Sequence, residues 1–424
     1  MVYLKKVSFL LIIAILLCTY SIAFCEDLNL SGEAAILIDY DTKAILYEKN
    51  INEQLYPAST TKMITAILAI ERGNLDDIIT VDQEVVDLTK GSHIALEPGE
   101  ELTLEEMLYA LLVQSANDAA LAIGKYVSGS VDAFVQLMNE KAKEIGATNT
   151  NFSNPNGLHV DTHVSTAHDL AMIAQYAMHN ETFRHYVNTV THTIEPTNIK
   201  TEPRYLKNTN KLLFSSEKID LDGKAIPAKY EYASGVKTGY TSQAQNCLVS
   251  FAEKNDQRLI AVVMKSNGNY VYSDTHKLLD YGFDNFRNTT IAYANEFIDN
   301  IKISKGLQPV VAGVLDKTIV YPLLNGNISE IERKVTFNES LEAPINKGAV
   351  LGKVEYLLDG ETIGESNIIS TMNVELDPMT KTYNKILSKW YLFVFALIVI
   401  LRIMVLKNRK RKRRSKRSSY IPYV

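Results

Sequence analysis

The stretch "YPASTTKMITAILAIERG" (Tyr56–Gly73) decides how the chain is read. From Met63 onward its apolar residues recur at helical spacing, and Gly73 follows as a stop. Ser59 and Lys62 fall one turn apart at the start of that helix. A helix N-terminus favours anions, so Lys62 is badly placed for the dipole. It is well placed for Ser59, because positions three apart share a face and come within hydrogen-bond reach. Serine is a weak nucleophile at neutral pH and needs an adjacent base. Lysine serves as that base only when burial or a second cation lowers its pKa. Ser59 also turns its own backbone N–H outward near the helix N-terminus, where it can stabilise an oxyanion. The spacing alone says little: Ser215 and Lys218 repeat it in "SSEKIDLDG", where no helix follows.

Two further stretches give it weight. "LLVQSANDAALAIG" carries Ser115 and Asn117 between two helical patterns, and "SGVKTGYTS" carries Lys237, Thr238 and Gly239 on a strand. Read singly, the first is a helix cap and the second an edge turn. Together and in this order, Ser-x-x-Lys, Ser-x-Asn and Lys-Thr-Gly are the three motifs of penicillin-recognising serine acyltransferases.

Around these motifs, "EAAILIDYDTKAILYEKN" (Glu33–Asn50) reads as two strands joined at Asp41–Lys43, the first nearly all apolar and hence central. Helical patterns then dominate from Pro57 to about Asn180. They include Leu104–Val113, Asp118–Val127 and Val131–Ile145 with Gly146 as its stop, and a capping box at Thr166 and Asp169. Strands return at "EYASGVKTGYT" and in a hairpin turning at Asn255-Asp256, followed by a helix from about Ser273 to Phe286. This order predicts an α/β catalytic domain over 26–286: an antiparallel sheet flanked by helices, with an all-helical lobe. Residues 287–378 change to short strands punctuated by Gly, Pro and Asn, with "YLLDGETIGE" as an Asp-Gly hairpin. They predict a small all-β domain, β-sandwich-like, that carries no cluster of reactive residues and reads as a spacer or interaction module.

Both ends point to a membrane. Lys5 and Lys6 precede an apolar run to about Ala23, which reads as a signal peptide over 1–25, with a lipoprotein signal at Cys25 as the alternative. Trp390–Leu406 is apolar all round apart from Arg402 and suits a spanning helix, and 407–424 opens with a run of basic residues. The positive-inside rule puts that tail in the cytoplasm and everything before Trp390 outside. Of the 44 Lys and Arg, twelve lie in these ends (Lys5, Lys6, Arg402 and nine in 407–417), so 32 face 49 acids, about 17 net negative charges on the exported part. Such an acidic ectodomain excludes a nucleic-acid binder. Cys247 is the one cysteine of the mature chain, so the fold relies on its core rather than a disulfide.

With these residues in hand, the chain resembles the D-alanyl-D-alanine carboxypeptidases, the low-molecular-mass penicillin-binding proteins, from Leu30 to about Phe286. "HIALEPGEELTLEEMLYALLVQSANDAALAIG", "NFSNPNGLHVDTHVSTAHDLAMIAQYA" and "GVKTGYTSQAQNCLVSF" look like segments of that family. The family also has a small β-domain and a C-terminal anchor, although many members anchor by an amphipathic helix rather than a span. The resemblance implies that Ser59 attacks the penultimate D-alanine carbonyl of a peptidoglycan stem peptide, with Lys62 as base and Ser115 relaying a proton to the leaving amine. It also implies that Asn117 holds the substrate backbone and that Lys237 and Thr238 meet the terminal carboxylate. Gly239 clears the strand edge, and the Tyr240 N–H is the second oxyanion donor. β-Lactam antibiotics would acylate the same serine, and no cofactor is implied. The catalytic machinery leaves transpeptidase or endopeptidase activity open. A β-lactamase of the commonest form would need a Glu-x-x-x-Asn between Asn117 and Lys237, and none occurs. A penicillin sensor or wall-binding scaffold is the non-enzymatic alternative. His159, His163, His168, His179, His185 and His192 crowd one region, but no His-Glu-x-x-His appears, and they read as surface or capping residues rather than zinc ligands.

Overall fold

The structure, a computed structural model, describes residues 27–417. The signal-peptide reading of 1–25, with its alternative at Cys25, and residues 418–424 of the tail lie outside them. The chain divides into two compact units, Met1–Asn288 with Pro322–Gly326, and Thr289–Tyr321 with Asn327–Val424.

In the first unit β1 (Ala34–Asp39) and β2 (Ile45–Lys49) form the expected opening hairpin. The helices follow: α1 (Lys62–Arg72), α2 (Leu104–Leu112), α3 (Asn117–Ser128), α4 (Val131–Ile145), α5 (Ala167–Met178) and α6 (Glu181–Asn188). Then β3 (Ala233–Thr241), β4 (Gln245–Lys254) and β5 (Gln257–Ser266) complete an antiparallel sheet in the order β2-β1-β5-β4-β3, and α7 (Tyr270–Asn285) closes the unit. All six residues of β1 are buried, as its apolar run requires of an interior strand. The β4–β5 hairpin turns at Asn255 (φ 52°) and Asp256 (φ 62°), the positive-φ pair that a two-residue turn needs. Helix α1 is buried from Lys62 to Ala69 because it runs through the helical lobe, packed against α2, α3, α4, α5 and α6.

Three local readings change. The capping box expected at Thr166 and Asp169 is only half formed: Thr166 Oγ1 accepts from Asp169 N at 3.0 Å, but the Asp169 carboxylate is diverted to Asn149 N (2.7 Å) and Thr150 Oγ1 (2.8 Å). The complete box is at Thr103 and Glu106, opening α2. Helix α6 forms beyond Asn180, the expected end of the helical patterns, because Asn180 caps Phe183 N and Phe183, Tyr186 and Val187 bury one face. Helix α7 starts at Tyr270, a turn before the expected Ser273.

The second unit is all-β up to its C-terminal helices. Its strands β6 (Phe297–Lys302), β7 (Val310–Leu315), β8 (Glu332–Phe337), β9 (Val350–Leu358) and β10 (Glu361–Ser370) pair in the order β6-β7-β10-β9-β8. The β9–β10 turn is the predicted Asp359-Gly360, at φ 51° and 83°. Ile301, Val311, Leu315, Leu351, Val354 and Ile368 fill its core. Two helices follow, α8 (Pro378–Leu387) and α9 (Trp390–Arg417), and α9 holds one stretch, Trp390–Lys412, long and apolar enough to cross a membrane. The helix therefore continues past the apolar run 390–406 into the basic segment.

Candidate active site

The nucleophile turn is tighter than an α-helix. Ala58–Thr61 is a 3₁₀ turn, and the α-helix proper starts at Lys62. Three residues per turn stack positions i and i+3 more directly than 3.6 do, which brings Lys62 over Ser59. Two glycines let other backbone close on this turn. A Cβ on Gly157 (φ 83°) would lie 1.9 Å from Ala58 O, and one on Gly239 would lie 2.9 Å from Pro57 O and 3.0 Å from Ser59 N. Gly239 thus sets β3 directly against the Ser59 amide, while Ser59 itself is only half-buried.

Lys62 is wholly buried, and its Nζ has three neighbours: Asn117 Oδ1 at 2.6 Å, Asn156 O at 2.6 Å and Ser59 Oγ at 2.9 Å. Two of these can only accept. The Asn117 orientation is fixed by its Nδ2 donating to Lys90 O at 2.6 Å, which leaves Oδ1 toward Lys62. A neutral amine has two N–H groups and one lone pair. Asn117 and Asn156 take both N–H groups, so the lone pair faces the Ser59 hydroxyl. Electrostatics favour that neutral form: burial, and then the charge of Lys237, hold the Lys62 pKa well below the usual lysine value, opposed by Asp118. Asp118 is itself engaged by the backbone N–H groups of Ile94, Leu96 and Ala119.

Ser115 lies between α2 and α3 with φ 62°, a left-handed conformation that costs a non-glycine residue about 1 kcal/mol or more. Its side chain is largely buried and hydrogen-bonds to nothing among the described residues. On β3 the side chains alternate. Lys237 is buried, with Nζ donating to Thr238 O at 3.1 Å, and burial pushes its pKa down to about 7. Thr238 and Tyr240 occupy the other face, Tyr240 two-thirds exposed. Lys237 and Thr238 thus lie on opposite faces of β3.

The structure brings Ser59, Lys62, Asn117 and Gly239 into direct proximity, and the charge of Lys237 is felt at Lys62. Ser215 and Lys218 stay apart from them, Lys218 exposed on a different strand. Three participants escaped sequence reasoning. Asn156 acts through its carbonyl, Gly157 through its missing Cβ, and His163 supports the turn from behind. His163 Nε2 is 2.8 Å from Thr61 Oγ1 while Nδ1 accepts from Ser153 N at 2.9 Å, and burial, His159 and Lys62 lower its pKa to about 4. The turn sequence "NPNG" (154–157) was the available signal. The other histidines pack separately: His179 on Tyr40, His185 and His192 on Tyr109, and His159 edge-on to Tyr56. Cys247, opposite Gly239, is buried with its thiol pushed up to about 11, which leaves it unreactive.

A serine backed by a buried lysine whose proton affinity is lowered, with an open strand edge at its amide, defines a serine acyl-enzyme hydrolase of the penicillin-recognising class. A family model described as D-alanyl-D-alanine carboxypeptidase matches residues 23–268, and one described as penicillin-binding protein 5, C-terminal domain, matches 286–376. D-alanyl-D-alanine carboxypeptidase DacF of Bacillus subtilis is 31% identical, covering 92% of this chain and 100% of the relative. Penicillin-binding protein 5 from Haemophilus influenzae superimposes with a TM-score of 0.67 at 27% identity, over 82% of this chain and 98% of that one. A mutant of the Streptomyces K15 DD-transpeptidase gives 0.54 at 32% identity, over 60% and 98%. The chain belongs to the D-alanyl-D-alanine carboxypeptidase family.

Proposed function

We propose that this protein removes the terminal D-alanine from peptidoglycan stem pentapeptides through an acyl-enzyme on Ser59. The observation that carries the reading is the Lys62 amine, buried and wired so that its lone pair meets Ser59 Oγ at 2.9 Å. Ser59 Oγ attacks the penultimate D-alanine carbonyl as Lys62 takes its proton. The oxyanion is held by the N–H groups of Ser59 and Tyr240. Ser115 relays that proton from Lys62 to the departing amine, which leaves as D-alanine, and water then hydrolyses the ester and returns the proton to Ser59. Asn117 keeps one Nδ2–H beyond its bond to Lys90, free for the substrate backbone. Thr238 meets the terminal carboxylate from the open face of β3, and Lys237 supplies positive charge from the buried face. β-Lactams, which carry an acyl group and a carboxylate, acylate Ser59 in the same way.

Incubating the protein with diacetyl-Lys-D-Ala-D-Ala should release D-alanine stoichiometrically with the dipeptide product. Absence of D-alanine release would contradict the reading. Added D-amino acid distinguishes transfer from hydrolysis, since a transpeptidase would return an exchanged tripeptide.

We propose the same division along the chain: 26–286 catalytic, 287–378 a β-module, 390–406 a single span, and 407–424 a cytoplasmic basic tail, with the active site outside the bacterial cell membrane. Fifteen of the residues from Trp390 to Leu406 are apolar or aromatic and at least 38% exposed, and Arg402 and the basic tail argue for the orientation. A chain ended before Trp390 but keeping residues 1–25 should leave the membrane as active soluble protein. Continued membrane retention of that truncated chain would instead favour lipidation at Cys25.

A further inference from the structure

The segment "KNTNK" (Lys207–Lys211) contributes a residue to the site that none of the three motifs contains. Its two asparagines are buried and act as rivets. Asn208 Nδ2 donates to Thr189 O at 2.8 Å, and Asn208 N to Val190 O at 2.8 Å. Asn210 Nδ2 donates to Gly235 O at 3.0 Å, on β3 itself, and Asn210 Oδ1 accepts from Leu212 N at 3.1 Å. Between them Thr209 is held outward. Its N donates to Val113 O at 3.2 Å, two residues before Ser115, and its Oγ1 lies 2.6 Å from Thr238 Oγ1.

Each threonine hydroxyl has one proton, so a hydroxyl pair has two arrangements. If Thr238 donates to Thr209, Thr238 has no proton left for a ligand. If Thr209 donates to Thr238, the Thr238 proton is free to point into the site, and the donated bond polarises it. An anion beside Thr238 selects the second arrangement. The pair adds little to holding the segment in place, because the two asparagines already do so and an exposed neutral hydrogen bond exchanges readily for water. Its consequence lies in direction rather than stability.

We infer that Thr209 is a positioning residue that aims the Thr238 hydroxyl at the terminal carboxylate of the substrate. This rests on the assignment of Thr238 to that carboxylate. The Thr209→Val change keeps the branched shape and deletes the hydroxyl. It should raise KM for diacetyl-Lys-D-Ala-D-Ala roughly three- to tenfold with kcat within about twofold, the size of one ordinary hydrogen bond. Thr209→Ser should restore the wild-type KM. With the same tripeptide amidated at its C-terminus, wild type and Thr209→Val should turn over alike, because no carboxylate is present to be met.

Thr238→Val serves as the control that separates the two claims. If Thr238→Val discriminates against the carboxylate substrate and Thr209→Val does not, the inference about Thr209 is overturned and the assignment of Thr238 stands. If Thr238→Val weakens the carboxylate and amide substrates equally, the assignment of Thr238 fails and the inference fails with it. Equal losses on both substrates for Thr209→Val, or failure of Thr209→Ser to restore KM, would show a structural role and also overturn it. In the double variant the second substitution should add almost nothing, the mark of two groups acting as one.

Discussion

Replacing Ser59 by alanine should abolish covalent labelling by a fluorescent penicillin and reduce D-alanine release to background. Ser59 is the sole hydroxyl within reach of the Lys62 amine among the described residues, at 2.9 Å. No other group can receive the acyl unit in that geometry, so the loss should reach at least 10⁴-fold rather than the few-fold of a weakened contact. The alanine variant should keep its fold, because the hydroxyl is half-exposed and the turn is shaped by Pro57, Ala58 and the two flanking glycines. Ser215→Ala provides the counterpart, since Ser215 has the same spacing to Lys218 but no buried amine, and it should label normally. Mass mapping of the labelled peptide decides the matter: an adduct on any residue but Ser59 would remove the basis for the mechanism.

The parts of the site that were legible in the sequence are those whose chemistry resides in a side chain at fixed spacing. Ser59 and Lys62 are three apart on one turn, so local geometry suffices to join them. Ser115-x-Asn117 and Lys237-Thr238-Gly239 were legible because their order along the chain matches a known set of motifs, not because their own spacing demands a site. What stayed hidden acts through the backbone or across long stretches of chain. Asn156 reaches Lys62 through a carbonyl, which every residue has, over a separation of 94 residues. Thr209 meets Thr238 only because Asn208 and Asn210 hold it there, and "KNTNK" by itself reads as an ordinary loop. The fold behaved likewise. The apolar run of β1, the turns at Asn255-Asp256 and Asp359-Gly360 and the Gly146 stop follow from local chemistry. The half-formed box at Thr166 failed because Asp169 found partners at Asn149 and Thr150, which pattern alone does not reveal. Strand alternation adds something that the motif does not show: Lys237 is buried, and its charge is felt at Lys62.

That coupling gives a test that separates the two lysines. Lys62→Met removes the base while filling its buried volume, and it should cut the second-order rate of acylation by substrate and penicillin alike by 10²–10⁴-fold or more. The reaction needs Lys62 neutral, so in the wild type acylation should fall as pH drops through its lowered pKa, well under 10. Burial brings the Lys237 pKa down to about 7, and its positive charge, after burial itself, helps hold Lys62 neutral. Lys237→Met should therefore shift the acidic limb of the acylation profile to higher pH, besides raising KM for the carboxylate substrate. Lys237→Arg keeps the charge with a different shape, so it should retain partial activity and a limb near that of wild type, whereas Lys62→Arg should be inactive because guanidinium does not give up its proton. The same depressed pKa values carry a stability cost. Between the folded value and the unfolded one of about 10.4, the unfolded chain binds more protons, so stability rises with pH across that window. Lys62→Met relieves the cost and should unfold at a higher temperature than wild type at pH 7 while being catalytically dead. Acylation rates for the four variants between pH 5 and 10, with thermal unfolding of Lys62→Met, check every step. Acylation of Lys62→Met within tenfold of wild type would transfer the base to Ser115 and Lys237, and an unmoved limb in Lys237→Met would show that burial alone sets the Lys62 proton affinity.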